Sequence, residues 1–122
     1  MGTIKKFEEI EVWQRARTLV QEPYHISSDI TFSKDYALKD QLRRAGISIM
    51  ANIADGFGRR SSKEFANFLN ISHASASEVQ FHIYIAFDQN FIQKGVFNKL
   101  YTECEEISKM LLGFQNYLRK LQ

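Results

Sequence analysis

The chain has 122 residues, of which 44% are hydrophobic, and 16 Lys and Arg stand against 14 Asp and Glu, a formal net charge of +2. This length and apolar content predict one domain over residues 1–122 with a core of its own. One proline and six glycines argue against a β-turn-rich fold, and no apolar run is long enough to span a bilayer. A single cysteine excludes an intrachain disulfide, so we expect a reducing, cytoplasmic setting.

The first helix is predicted from about Glu8 to Asp29, because apolar residues follow each other at spacings of four and three. These residues are Val12, Ala16, Leu19, Pro23, Ile26 and Ile30. Pro23 would remove one backbone hydrogen bond from the helix. Since the apolar spacing continues through Pro23, we expect a kink there rather than two helices.

The second helix is predicted from an N-cap at Ser33 to about Phe57, with Gly58 in the left-handed conformation that ends it. On its helical wheel, six polar residues form a stripe about 80° wide. This polar stripe is Gln41, Arg44, Ser48, Asn52, Asp55 and Arg59. Apolar residues cover almost all of the remaining wheel, whereas an ordinary surface helix has a broad polar face. We therefore expect the helix to bury both a core face and a subunit interface; the alternative is an unusually apolar core helix.

The third helix opens at a capping box from Ser61 to Glu64, and Asn90 and Gly95 bracket its last turn. Its predicted core face comprises Phe65, Phe68, Leu69, Ala76, Val79, Ile83 and Ala86. The fourth helix has an unbroken apolar repeat at spacings of three and four. That repeat is Phe97, Leu100, Cys104, Ile107, Leu111, Phe114, Leu118 and Leu121. Such spacing gives shallow crossing angles, so we predict an all-α, antiparallel, up-down-up-down four-helix bundle.

Catalytic and metal-binding patterns are weak in this sequence. His73 and His82 are nine residues apart on one helix and point to opposite sides. Glu78 and His82 share a face, but two ligands do not make a metal site, and a hydrogen bond between them is the better account. Cys104 lies on the apolar repeat, which predicts a buried, unreactive thiol. We therefore predict no catalytic residue, no metal ion and no cofactor, and a protein that is not an enzyme.

Positive charge is concentrated between residues 41 and 63, where five cations face Asp55 alone, a local charge of +4. The cations are Arg43, Arg44, Arg59, Arg60 and Lys63. Helix N-termini attract anions, and the guanidinium fork suits phosphate. These residues predict nucleic-acid binding through Arg59, Arg60, Lys63 and Arg43. In the alternative interpretation, the same arginines form intersubunit salt bridges and helix caps.

The stretch from Gln41 to Glu64 resembles a bacterial four-helix bundle family named after proteins encoded in intervening sequences of large-subunit ribosomal RNA genes. The family pattern is approximately QLRRAxxSIxxNIAEGxGR, followed by S, E, FL, GSxxEL and Q. It is matched here by Gln41, Leu42, Arg43, Arg44, Ala45, Ser48, Ile49, Asn52, Ile53, Ala54, Gly56, Gly58, Arg59, Ser61, Glu64, Phe68, Leu69, Ser75 and Glu78. Residues 7–16 also resemble the usual start of the family. Asp55, Ala74 and His82 depart from its Glu, Gly and Gln.

The resemblance implies a homo-oligomer, because relatives form closed rings, often pentamers, and a ring needs a heterologous interface. The polar stripe would then line the interface or the central opening, with Arg44 and Asp55 paired within or across subunits. A related bundle, the accessory protein of diversity-generating retroelements, is a basic pentamer that binds a reverse transcriptase and nucleic acid. The leading hypothesis is therefore a non-enzymatic RNA-associated or RNA–protein scaffold. The alternative is a purely structural ring that docks another protein on aromatic residues such as Phe87, Phe91 and Phe97.

Overall fold

The computed structural model describes residues 3–121, and in that part of the chain every regular element is helical. Four long helices follow one another, with a short 3-10 helix before the first and another before the second. The elements are the 3-10 helix Phe7–Glu9, α1 Glu11–Ile26, the 3-10 helix Phe32–Lys34, α2 Tyr36–Phe57, α3 Ser62–Asp88 and α4 Lys94–Lys120. The predicted all-α fold with four helices is confirmed.

The helices run antiparallel to their sequence neighbours, because residue numbers rise on one helix as they fall on the next. Between α2 and α3, the pairs in contact are Ser48 with Ser75 and Gly56 with Phe65. Between α3 and α4, they are Tyr84 with Phe97 and Phe65 with Phe114. Between α1 and α2, they are Tyr24 with Arg43 and Val20 with Gly46. A salt bridge of 2.7 Å from Arg15 to Glu106 joins α1 to α4. The four helices therefore enclose one core in up-down-up-down order.

The core contains most of the residues that the apolar spacings selected. Phe68, Phe97 and Phe114 are half-buried, and Leu121, just after the end of α4, is 52% exposed. Its largest fully buried side chains are Phe32, Leu19, Leu42, Ile49, Ile53, Leu69, Ile83, Leu100, Ile107, Leu111, Leu118 and Val79. Pro23 is also buried, and α1 runs through it as one helix. Ile30, the last residue of the predicted α1 repeat, is 78% exposed, because α1 ends at Ile26.

The start of α2 differs from the sequence prediction. Asp35, not Ser33, is its N-cap: the Asp35 carboxylate accepts a 3.1 Å hydrogen bond from the backbone N–H of Leu38. Ser33 lies in the preceding 3-10 helix, where its hydroxyl donates to the Ile30 carbonyl. Burial of Phe32 explains the shift, since the chain must bring this ring inside before α2 can begin.

The ends of α2 and α3 correct a second prediction. Gly58 has a φ of −75°, so it is not in the left-handed conformation, and its N–H still bonds the Ala54 carbonyl in helical fashion. The left-handed residue is Asn90, with a φ of 62°, just after α3. Asn tolerates that region better than most side chains. The predicted Ser61 cap is confirmed, because its hydroxyl accepts from the Glu64 N–H at 3.1 Å.

Candidate nucleic-acid interface

The middle of the polar stripe is hydrogen-bonded inside the chain, between α2 and α3. The hydroxyls of Ser48 and Ser75 share a hydrogen bond of 2.7 Å. The Asn52 amide donates to the Ser48 carbonyl at 2.9 Å and to its hydroxyl at 3.0 Å. One turn away, the Ser72 hydroxyl donates to the Ile49 carbonyl at 2.8 Å. These small polar side chains link two closely packed helices.

Arg44 has its partner on its own helix. Its Nε atom lies 2.8 Å from the Asp40 carboxylate, four residues earlier, and both side chains are mostly exposed. Asp55 is exposed and stands eleven residues beyond Arg44, about 16 Å along a helix. The predicted pairing of Arg44 with Asp55 within the subunit is therefore wrong, and pairing across subunits stays a prediction.

Gln41 is exposed at a pocket between α2 and α3 of about 470 Å³, lined also by Ala37, Leu38, His82 and Ile85. The Nδ1 atom of His82 is buried there without a hydrogen-bond partner among residues 3–121. Burial lowers the pKa of His82 from its ordinary value. The hydrogen bond predicted between His82 and Glu78 is absent from the described residues, so Glu78 acts on His82 only through its charge, which opposes the shift.

Beyond its core face, α2 exposes a second apolar surface. Ile47 is 42% exposed, and Ala51 is exposed one turn later. They form, with Met50, Ala54, Phe7 and Trp13, an apolar groove of about 290 Å³. The rings of Phe7 and Trp13 contact each other edge to face, with their centroids 5.0 Å apart. The sequence prediction of apolar surface beyond the core therefore matches the observed groove.

Arg43 is separated from the other predicted phosphate-binding residues. Its guanidinium lies 4.5 Å from the centre of the Tyr24 ring, and its Nε donates to the Ser27 hydroxyl at 2.8 Å. Arg43 thus packs on α1, and it stands sixteen residues before Arg59, on the order of 20 Å along the bundle. The five cations of residues 41–63 do not form one patch.

Arg59, Arg60 and Lys63 remain together, at the connection between α2 and α3 and in the first turn of α3. All three are exposed, and none of them has an ion pair within residues 3–121. The Arg59 guanidinium lies 4.5 Å from the centre of the Phe68 ring, a cation–π contact that gives it a fixed direction. Gly56 allows the end of α2 to lie close to α3. A Cβ at this position would lie only 2.7 Å from atoms of Phe65 and Phe68, so a larger residue would force the two helices apart.

Two further cations lie at the same end of the bundle, and the sequence analysis missed them. Arg119 and Lys120 occupy the last turn of α4 and are exposed. The Gln115 amide, one turn earlier, donates to the Ala66 carbonyl at 3.0 Å, which sets the end of α4 beside the start of α3. The sequence signal for this proximity is the near-equal length of two antiparallel helices joined by a short connection.

We call these five residues the basic end: Arg59, Arg60, Lys63, Arg119 and Lys120. The acids on the same stretches are Asp55 and Glu64, so residues 55–64 and 115–121 carry a formal charge of +3. Such a surface attracts polyanions and raises their rate of association.

Other chemistry is limited. Within residues 3–121, no group of three or more His, Cys, Asp or Glu side chains could hold a metal ion. Cys104 is buried, and burial raises the pKa of its thiol to about 12, so it stays protonated and unreactive at neutral pH. In the same part of the chain, no helix combines the length and apolar character needed to cross a bilayer.

The fold and the basic end define a small, antiparallel four-helix bundle with an exposed cationic cluster at one end. The family described as "23S rRNA-intervening sequence protein" matches residues 8–113, and the chain belongs to this family. A solved structure of a protein of unknown function from the S23 ribosomal protein family of Bacteroides thetaiotaomicron has the same fold. It matches with a TM-score of 0.79 and 22% identity, over 85% of this chain and 97% of that one. No curated protein matches the chain.

Proposed function

We propose that this chain is a non-enzymatic, RNA-associated scaffold that contacts the phosphate backbone through Arg59, Arg60 and Lys63. The observation that carries the proposal is the exposure of these three cations without an ion pair in residues 3–121. Cations that the chain leaves unpaired are available to an anionic ligand, and arginine binds phosphate through two parallel hydrogen bonds. The family description refers to an intervening sequence of 23S rRNA, which supports RNA as the ligand.

The local geometry supports phosphate contact in two ways. Because Arg59 rests on Phe68, part of the entropy cost of ordering its long side chain is already met in the free protein. The connection also leads into the N-terminus of α3, a helix of 27 residues whose first turn begins directly after the Ser61 cap. The positive end of the helix dipole adds to the attraction for a phosphate group nearby.

We further propose that the scaffold is a homo-oligomer, with five subunits as the family resemblance implies. The apolar groove beside Ile47 supports an interface. So do exposed apolar side chains of α3, namely Phe81, which is 64% exposed, Ile71 and Ile85. Apolar surface distributed over two faces suits a heterologous, ring-closing contact. Repetition of the basic end around a ring would raise the affinity for RNA through multivalency.

A structural ring that docks another protein is the second candidate, favoured by an aromatic cluster on α3 and α4. Tyr84 is 51% exposed, and its ring lies 4.8 Å from that of Phe97, which stacks on Tyr101 at 5.6 Å. Aromatic side chains are enriched where proteins bind proteins. In this candidate, substitution of Tyr84 would weaken partner binding, and substitution at the basic end would not.

The experiment that tests RNA binding is a titration of mixed-sequence RNA at several salt concentrations with wild-type protein and with Arg59→Ala/Arg60→Ala. We expect the variant to bind more weakly. The slope of log K against log salt is negative, and its magnitude should fall by about 0.7–0.9 for each lost contact. The matched control is Lys94→Ala/Lys99→Ala, which removes two exposed cations at the other end of the bundle. If wild-type protein has no salt-dependent affinity for RNA, the proposal is wrong.

Light scattering on the same samples tests assembly. A mass near the monomer value of 14.2 kDa at micromolar concentration would contradict the ring, whereas a defined multiple would support it. The Arg59→Ala/Arg60→Ala variant should keep the wild-type mass, because both side chains are exposed. Loss of the oligomer with unchanged RNA affinity would instead assign these arginines to a subunit interface.

A further inference from the structure

The last turn of α4 lies level with the first turn of α3. This placement rests on two contacts between the helices, the hydrogen bond from Gln115 to the Ala66 carbonyl and the 5.1 Å edge-to-face contact of the Phe65 and Phe114 rings. Packed helices are about 8–10 Å apart. The cations that follow Gln115 therefore stand next to those that precede Phe65, although more than fifty residues separate them in the sequence.

Arg119 and Lys120 resemble Arg59 and Arg60 in exposure and in ion pairing. Both are exposed, and neither has an ion pair with any other residue of the described chain. One role for them is internal to the helix, since cations in a last turn interact favourably with the negative end of the helix dipole. That role leaves the charged head groups directed to solvent and still available to a ligand.

We propose that Arg119 and Lys120 form the second half of the RNA site, so that the site spans the basic end from the α2–α3 connection to the last turn of α4. The inference rests on the proposed function, and it specifies the ligand as a continuous phosphodiester backbone. Two cation pairs about one helix spacing apart can contact separate phosphates of one RNA. A lone phosphate group would engage only one of the pairs.

The acids within residues 55–64 support the same extent for the site. Glu64 lies in the first turn of α3 and Asp55 lies one turn before the connection. With Arg59, Arg60 and Lys63 alone, these two acids leave a charge of only +1, whereas the α4 pair raises it to +3. The α4 residues therefore supply most of the excess positive charge that a polyanion would meet.

The test is a salt series with mixed-sequence RNA of about 20 nucleotides on Arg119→Ala/Lys120→Ala, Arg59→Ala/Arg60→Ala and the control Lys94→Ala/Lys99→Ala. We expect the magnitude of the negative slope of log K against log salt to fall by about 1.4–1.8 in each of the first two variants and to stay unchanged in the control. The control removes two cations from α4 itself, so it matches the α4 variant in helix and in charge. A second variant, Arg119→Gln/Lys120→Gln, keeps long side chains that favour helix and should give the same slope as the alanine variant.

Two results separate this inference from the proposed function. In the first result, Arg59→Ala/Arg60→Ala reduces the magnitude of the salt slope and both α4 variants leave it unchanged. Arg119 and Lys120 would then serve only the α4 dipole, and the extended site would be overturned while RNA binding stands. If the wild-type protein itself has no salt-dependent RNA affinity, the proposed function is wrong and the extended site is wrong with it.

Discussion

Each end of the bundle has a helix whose N-terminus is capped by a side-chain oxygen, but the two ends differ in which side chains they leave exposed. At the basic end, Ser61 caps α3; at the opposite end, Asp35 caps α2. The opposite end then buries Phe32, whose ring stacks on Phe91 at 4.8 Å. Its connections, residues 27–35 and 89–93, carry a formal charge of −1, against +3 for residues 55–64 and 115–121.

Because of this difference, we expect the opposite end to contribute mainly to the stability of the fold and the basic end to contribute mainly to ligand contact. At the opposite end, the buried ring of Phe32 and the half-buried ring of Phe91 close the core. At the basic end, Gly56 permits close approach of α2 to α3, and the cations stay outside. Substitutions at the opposite end should therefore change mainly the free energy of unfolding, and charge substitutions at the basic end should change mainly RNA affinity.

The largest effect is expected at the opposite end, from Phe32→Ala. Phe32 is fully buried, and its loss should lower the free energy of unfolding by about 3–5 kcal/mol. Urea denaturation followed by circular dichroism measures this change. The control is Ile30→Ala, two residues earlier and mostly exposed, for which we expect a change within about 0.5 kcal/mol. Equal effects at the two positions would contradict the closure of this end by Phe32.

An intermediate effect is expected at the basic end, from Gly56→Ala. The new Cβ would lie 2.7 Å from atoms of Phe65 and Phe68, so the helices must separate, at a cost of about 1–3 kcal/mol. Gly113→Ala is the matched control, because a Cβ at Gly113 meets nothing within 4 Å and should stabilise α4 by about 0.5–1 kcal/mol. Thermal unfolding of both variants compares them, and a neutral Gly56→Ala would show that close approach is not what positions the basic end.

The smallest effect concerns His82, in the pocket beside Gln41. Burial lowers the pKa of His82 below its ordinary value of 6.5, so the folded protein binds this proton less readily than the unfolded chain does. The contribution that this pKa difference makes to the free energy of unfolding is fully present above pH 6.5 and is lost as the pH falls below 6.5. Unfolding midpoints at pH 7.5 and pH 5.5 should differ less in His82→Gln than in wild type. An identical pH dependence in both proteins would show that His82 is not the source of the pH-dependent stability.

Local sequence signals predicted the elements well where neighbouring residues determine them. The apolar repeat of α4 and the Ser61 cap depend on spacings of three and four residues, and the structure has both. The caps at Ser33 and Gly58 were predicted wrongly. Burial of Phe32 moved the start of α2 to Asp35, and the Gly58 N–H remained in a helical hydrogen bond. Neither reason is visible in the identity of the capping residue.

The sequence by itself determined the four helices, their apolar faces and an excess of cations, because periodicity and composition are properties of neighbouring residues. Only the tertiary structure decided which cations stand together. Antiparallel packing brings the last turn of α4, which carries Arg119, level with the first turn of α3, which carries Lys63, across more than fifty residues. The length of α2, by contrast, keeps Arg43 away from Arg59. Charge acts through distance in space, and distance in space is fixed by how the helices pack rather than by their order in the chain.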